Sequence, residues 1–161
     1  MSTPITIGQP FPAVTLKTVS GGEISEHSTG ELFAHGRHVL FALPGAFTPT
    51  CSAKHLPGFV EHFAEITAKG VASIACLSVN DAFVMKAWAA ANGSPDIVML
   101  ADGNGALTTA LGLGLDATGF GMGHRSQRFA MIIKDGAVEH LFVEAPGSFS
   151  VSSAEHVLEA L

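Results

Sequence analysis

A threonine, a cysteine and two prolines cluster in Pro44-Gly45-Ala46-Phe47-Thr48-Pro49-Thr50-Cys51, and their types and spacing point to sulfur chemistry. The run before them, His38-Val39-Leu40-Phe41-Ala42-Leu43, reads as a buried strand. After them, Leu56, Phe59, Val60, Phe63 and Ile66 recur at helical spacing. Cys51 therefore falls in the first turn of a helix, where unpaired backbone N–H groups and the dipole favour negative charge. A thiol there ionises more readily, and the thiolate is the reactive form. Thr48 lies one turn earlier and can place its hydroxyl beside the sulfur. Pro44 and Pro49 would stiffen the site and shield it from water. The arginines are Arg37, Arg125 and Arg128. Arg128 begins a predicted strand, from which its guanidinium could reach towards the helix N-terminus.

Three chemistries use such a cysteine: thiol–disulfide exchange, acyl transfer and peroxide reduction. Exchange of the Cys-x-x-Cys kind needs a second thiol three places on, and that place holds Lys54, so it fails unless the partner is Cys76. A nucleophile elbow wants small residues two before and two after the nucleophile; Pro49 and Ala53 stand there, and proline resists the sharp turn. Peroxide reduction needs a thiolate, a hydroxyl to orient the peroxide, N–H donors around the reacting oxygens and a cation. A cysteine hydrolase and a peroxide sensor that signals through oxidation of Cys51 stand as alternatives.

The surrounding chain narrows the setting. Its 161 residues suit one domain with a real hydrophobic core, and 47% are hydrophobic. The formal charge of −6 and scattered bases disfavour nucleic acid. The N-terminus lacks the marks of a secretory signal, and no apolar run approaches the roughly 20 residues of a membrane span. The expectation is a cytoplasmic protein, or the processed form of an imported one. The two cysteines, Cys51 and Cys76, do not make a disulfide scaffold. The eight histidines are dispersed; His55 and His62 share a helix, but nothing joins them at metal spacing, so both read as surface or half-buried residues and no metal site is expected. The glycines from 103 to 123 match no nucleotide motif and read as a flexible wall of the site.

The elements that must position Cys51 are legible from pattern. Gly21-Gly22 joins an N-terminal β-hairpin between Phe11–Leu16 and Glu23-Ile24. Ser28-Thr29-Gly30-Glu31 and Ser152-Ser153-Ala154-Glu155 match capping boxes opening short helices. The Cys51–Lys69 helix should kink at Pro57. A strand at 73–79 comes next, then a helix over 81–92 packing Phe83, Val84, Ala87 and Trp88. A strand at 98–101, a helix at 106–111 and a hairpin of 128–134 with 137–143 about Asp135-Gly136 complete the order. The crossover helix makes strands 38–43 and 73–79 parallel. The result is one α/β domain over residues 1–161 with a thioredoxin-like order of elements, a mixed central sheet flanked by helices.

Pro44-x-x-x-Thr48-x-x-Cys51 resembles the active-site signature of the peroxiredoxins. The extension through Ser52 and Lys54-His55-Leu56-Pro57-Gly58-Phe59 is similar to the type II, peroxiredoxin-5-like branch. So are Ser78-Val79-Asn80-Asp81-Ala82-Phe83-Val84-Met85-Lys86-Ala87-Trp88, Arg125-Ser126-Gln127-Arg128-Phe129-Ala130 and Val151-Ser152-Ser153-Ala154. The resemblance implies a thioredoxin-like fold and a thiol-dependent peroxidase for hydrogen peroxide and alkyl hydroperoxides, without metal, haem or flavin. It implies that Cys51 becomes a sulfenic acid, Thr48 positions the peroxide, Arg128 stabilises the thiolate and developing charge, and Pro44 screens the product. Gly45, Phe47, Pro49 and Phe120 are the pocket candidates it suggests. Cys76 is the candidate resolving cysteine, with thioredoxin as reductant; glutaredoxin and glutathione are the alternative. A homodimer through Phe47 and the 81–85 region is implied by the same analogy.

Overall fold

The computed structural model describes residues 3–161, apart from the side chain of Cys51. Its frame is a seven-stranded mixed sheet, built from β1 (Thr15–Ser20), β2 (Glu23–Ser28), β3 (Arg37–Ala42), β4 (Val71–Ser78), β5 (Val98–Ala101), β8 (Phe129–Lys134) and β9 (Ala137–Val143). The spatial order is β2-β1-β5-β4-β3-β8-β9. β3, β4 and β5 run parallel at the centre, with antiparallel pairs on both sides. β6 (Gly114–Asp116) and β7 (His124–Ser126) form a separate antiparallel pair.

The central strands read as unbroken apolar runs because both of their faces are covered. Successive side chains point to opposite sides. Val39, Phe41, Ile74, Cys76 and Met99 join one buried cluster, and Leu40, Ala42, Ala75, Leu77 and Leu100 join the other. Of the helices, α1 (Thr29–Leu32) and α5 (Ala106–Leu111) lie on the second side. α2 (Leu56–Glu61), α3 (Phe63–Ala68), α4 (Ala82–Ala91) and α6 (Ala154–Ala160) supply the first. Cys76, flanked by Phe41 of β3 and Met99 of β5, is fully buried on that first side.

Several expectations need correction. The N-terminal hairpin turns at Gly21-Gly22 as expected, but its first strand runs later, from Thr15 to Ser20, and its second, which starts at Glu23 as expected, continues to Ser28. The segment from Cys51 to Lys69 is not one helix kinked at Pro57. It is a π-helical turn, Cys51–His55, followed by α2 and α3 with a break at His62. Pro57 sits in the first turn of α2, where its missing N–H and fixed φ are tolerated. On α4 the buried face is Ala82, Met85 and Trp88, while Phe83 is 78% exposed and Ala87 faces solvent. The predicted stripe is rotated because it counts Phe83 as core on hydrophobicity alone. The glycine-rich stretch is more ordered than expected, since β6 and a 3₁₀ turn at Thr118–Phe120 lie within it and β7 follows it directly. Ser28 caps α1 as expected, but at α6 the cap is Ser153, whose hydroxyl accepts from His156 N–H. Ser152 is engaged elsewhere.

Asp102, buried at the end of β5, accepts from the N–H groups of Leu107 and Thr108 and from the Thr108 hydroxyl. It thereby fixes the start of α5. Asp102→Ala strands three buried donors, and a loss of about 2–3 kcal/mol of unfolding free energy is expected in urea titration.

Candidate active site

The loop carrying Pro44, Thr48 and Cys51 leaves the C-terminal end of β3 and is tied at several points. Asn80 Oδ1, just beyond β4, accepts from Ala46 N–H at 3.0 Å and from the Ser78 hydroxyl. Thr48 donates its N–H and hydroxyl to the Gly45 carbonyl, the latter at 2.7 Å. Between these tied residues Phe47 is held at φ 64°, a left-handed conformation that a bulky residue keeps only when its neighbours impose it. Its ring is 56% exposed.

Gly45 is where the loop meets its cover. A Cβ there would lie 3.0 Å from Arg125 Nη1, 3.2 Å from the Thr48 methyl and 3.3 Å from the Met122 methyl. Arg125 also donates to the carbonyls of Met122 and Pro44. It thus clamps the 122–125 segment onto the loop. Phe120, expected as an apolar contact of the pocket, is 85% exposed on the 3₁₀ turn; the residue of this wall seen against Gly45 is Met122. Pro49 is exposed and Pro44 half-buried at the same rim.

Cys51 is the first residue of the π turn, as the dipole argument requires. Its side chain lies outside the described residues, so the geometry is that of its surroundings. Arg128 immediately precedes β8 and does not begin it. Its guanidinium donates from Nη1 to His55 Nδ1 at 2.8 Å, and its Cζ lies 5.9 Å from the centre of the Phe149 ring.

His55 is the residue that sequence reading misplaces. Expected on the surface or half-buried, it is fully buried, packed against Phe41, Phe59 and Phe149. A signal is present: it stands four places after Cys51 and four before Phe59, on the apolar side of the segment. Its Nε2 lies 3.0 Å from the Ser152 carbonyl, which can only accept, so Nε2 carries the hydrogen. Nδ1 then offers a lone pair to Arg128. A second proton on Nδ1 would face the guanidinium. Burial, then the Arg128 charge, lowers its pKa from 6.5 to about 3, against the opposing pull of the Ser152 carbonyl and Glu144. His55 is a neutral acceptor that aims a cation.

Ser152 is itself held by Glu144, a buried carboxylate that accepts from the N–H and hydroxyl of Ser152 and from Ser150 N–H, all within 2.7–2.8 Å. Burial penalises its charge, but these donors outweigh it and keep the pKa below the usual value. The N–H of Glu144 in turn donates to the Arg128 carbonyl. His62, the other histidine singled out, is bound instead by Glu65 and Glu155 on the helix surface. Among the described residues no group of three or more His, Cys, Asp and Glu could hold a metal ion.

His55 predicts a pH dependence. Its folded pKa lies below the unfolded one, so between about pH 3 and 6.5 only the unfolded chain gains the proton. The stability is complete above pH 6.5 and falls as pH drops, by about 1.4 kcal/mol per unit. Over pH 5 to 6.5, above most carboxylate titrations, His55→Gln is expected to flatten the unfolding free energy by about one proton's slope relative to wild type.

Comparison with known proteins shows the family of the chain. The family model described as Redoxin matches residues 6–158. The chain is 49% identical over 163 residues to Peroxiredoxin-2E-2, chloroplastic, of Oryza sativa subsp. japonica, covering 98% of this chain and 72% of the relative. It is 44% identical over 160 residues to Peroxiredoxin-2B of Arabidopsis thaliana, covering 98% and 99%. A crystal structure of reduced Prx3 in complex with hydrogen peroxide from Vibrio vulnificus superposes with TM-score 0.92 at 54% identity, covering 97% of this chain and 95% of that one. The mixed sheet is that of the thioredoxin-like fold. No helix among the described residues is long and apolar enough to cross a membrane. Family model and relatives together show that the chain belongs to the peroxiredoxins, in their type II branch, and is a thiol-dependent peroxidase.

Proposed function

We propose that Cys51 is the nucleophile of this peroxidase and that Thr48, Arg128 and Pro44 form its immediate machinery. The observation that supports the reading is the Arg128–His55 pair, which brings a guanidinium to the last residue of the turn that Cys51 opens. The Cys51 thiolate attacks one peroxide oxygen; an S–O bond forms as the O–O bond breaks, and the departing alkoxide or hydroxide leaves as alcohol or water after taking a proton. The Thr48 hydroxyl hydrogen is committed to the Gly45 carbonyl, so its oxygen is poised to accept the peroxide O–H and orient it. Arg128 stabilises the thiolate and the charge developing on the departing oxygen. Pro44 screens the sulfenic acid from water.

Hydrogen peroxide and organic hydroperoxides are the substrates of this reading. Gly45, Phe47 and Pro49, with Met122 on the opposite wall, give an organic group apolar contacts. The sulfenic acid then condenses with the Cys76 thiol, releasing water and forming a disulfide that thioredoxin reduces. The alternative is condensation with glutathione and reduction by glutaredoxin. Burial of Cys76 in the central sheet means that the first route requires the Cys51 turn to unwind. The exposed rings of Phe47, Phe83 and Phe120 suit a homodimer face. A reducing compartment such as the cytoplasm suits a mechanism that consumes thiols.

Peroxide consumption by Cys51→Ser is expected to be nil. Thr48→Val is expected to lose about 10²–10³-fold in kcat/KM and Thr48→Ser to retain most of it. Cys76→Ser assayed separately with thioredoxin and with glutaredoxin plus glutathione decides the reductant. Loss of thioredoxin-driven turnover, with the oxidation step intact, supports the resolving role. Unchanged turnover with both reductants removes it.

A further inference from the structure

Trp88 is the single tryptophan of the chain, fully buried on α4, and its indole N–H donates to the hydroxyl of Ser52 at 3.0 Å. Ser52 is the residue after Cys51. This bond joins the π turn to a different helix, 36 residues away in sequence. We propose that the Ser52–Trp88 hydrogen bond is a latch on the Cys51 turn, setting how fast oxidised Cys51 is released to a second thiol. The proposal rests on the reading of Cys51 as the oxidised residue and concerns the step after its oxidation.

The turn needs a tie of this kind. A π turn has wider, less favourable backbone geometry than an α-helix. Pro57 has no N–H to donate back into it. The Ser52 N–H bonds back to Thr48, within the same loop, and so does not anchor the turn to the body of the protein. His55 anchors its far end through Ser152 and Arg128. Ser52 anchors its near end, beside the cysteine. Trp88 and Cys76 belong to the same packed cluster as Leu56 and Phe59. Unwinding that exposes Cys51 to Cys76 therefore separates Ser52 from Trp88. While the turn is closed, the indole N–H has its acceptor; once open, it needs water or another partner.

Two reactions compete for the sulfenic acid. Opening allows condensation with a thiol: S–S forms, the S–O bond breaks and water leaves. Staying closed keeps it beside the site, where a second peroxide adds an oxygen to sulfur, giving the sulfinic acid and water or alcohol. A tighter latch favours the second outcome at high peroxide.

The test is a single-turnover stopped-flow experiment with reduced full-length protein and hydrogen peroxide, followed by Trp88 fluorescence and by mass spectrometry of acid-quenched samples. Ser52→Ala is expected to leave the oxidation phase unchanged. It should speed disulfide formation about threefold to tenfold. The peroxide concentration giving half-conversion to sulfinic acid should rise by a similar factor, and Ser52→Thr, which keeps the hydroxyl, should restore wild-type behaviour. The same comparison in the Cys76→Ser background, reading the glutathione adduct on Cys51, tests the latch without Cys76. Equal second-phase rates and equal sulfinic acid formation in Ser52→Ala and wild type would overturn it, as would a Ser52→Thr variant that matches Ser52→Ala. Failure of the underlying reading looks different: wild type would then show no oxidation of Cys51 at all.

Discussion

A closed circuit of hydrogen bonds, with a neutral histidine at its centre, governs this site. Arg128 donates to His55, His55 to the Ser152 carbonyl, Ser152 to the Glu144 carboxylate, and the Glu144 N–H to the Arg128 carbonyl. Each member is fixed by the next. The circuit solves an electrostatic problem. In the role proposed for Arg128, a guanidinium serving an anionic sulfur must not be neutralised by a carboxylate at closer range, yet it needs an acceptor to fix its direction. An uncharged imidazole nitrogen supplies direction and leaves the charge in place. The buried acid is set one residue further back, with its oxygens occupied by the Ser150–Ser152 turn.

The same circuit explains the order of the fold around it. β8 must start beside the end of β3 so that Arg128 reaches the segment after Cys51, and the antiparallel pairing of Ala42 with Phe129 puts it there. The chain after β9 must fold back to bring Ser152 over His55, and α6 then packs Ala154 and Val157 into the cluster that holds Leu56 and Phe59. On the opposite flank, Asn80 and Arg125 hold the loop itself. The loop is therefore gripped from β4, β7 and β8, none of which is its sequence neighbour.

The parts of the fold legible in the sequence are those that depend on local pattern. Apolar runs at 38–43 and 73–79, Asp135-Gly136 and the short helix at 106–111 all appear where the residues place them. The Pro-x-x-x-Thr-x-x-Cys spacing is legible because its chemistry lies within one loop. His55 is not. Its partners are 73 and 97 residues away, and an isolated histidine carries no mark of a distant acceptor. Ser152 reads as part of a helix cap because the bond that claims it comes from Glu144, across a turn. Phe83 reads as core on hydrophobicity, whereas its α4 neighbours Ala82 and Met85 fill that side and leave it outside.

The place of Cys76 gives the two sulfurs unlike mechanical standing. It is seated mid-strand with a hydrogen-bonded strand on either side, so moving it would mean breaking the centre of the sheet. Residue 51 opens a five-residue turn that ends where α2 begins. Any meeting of the two is an excursion of one towards a stationary other. On the proposed Cys51–Cys76 route, the change of shape would therefore fall on the loop and turn and spare the centre of the sheet.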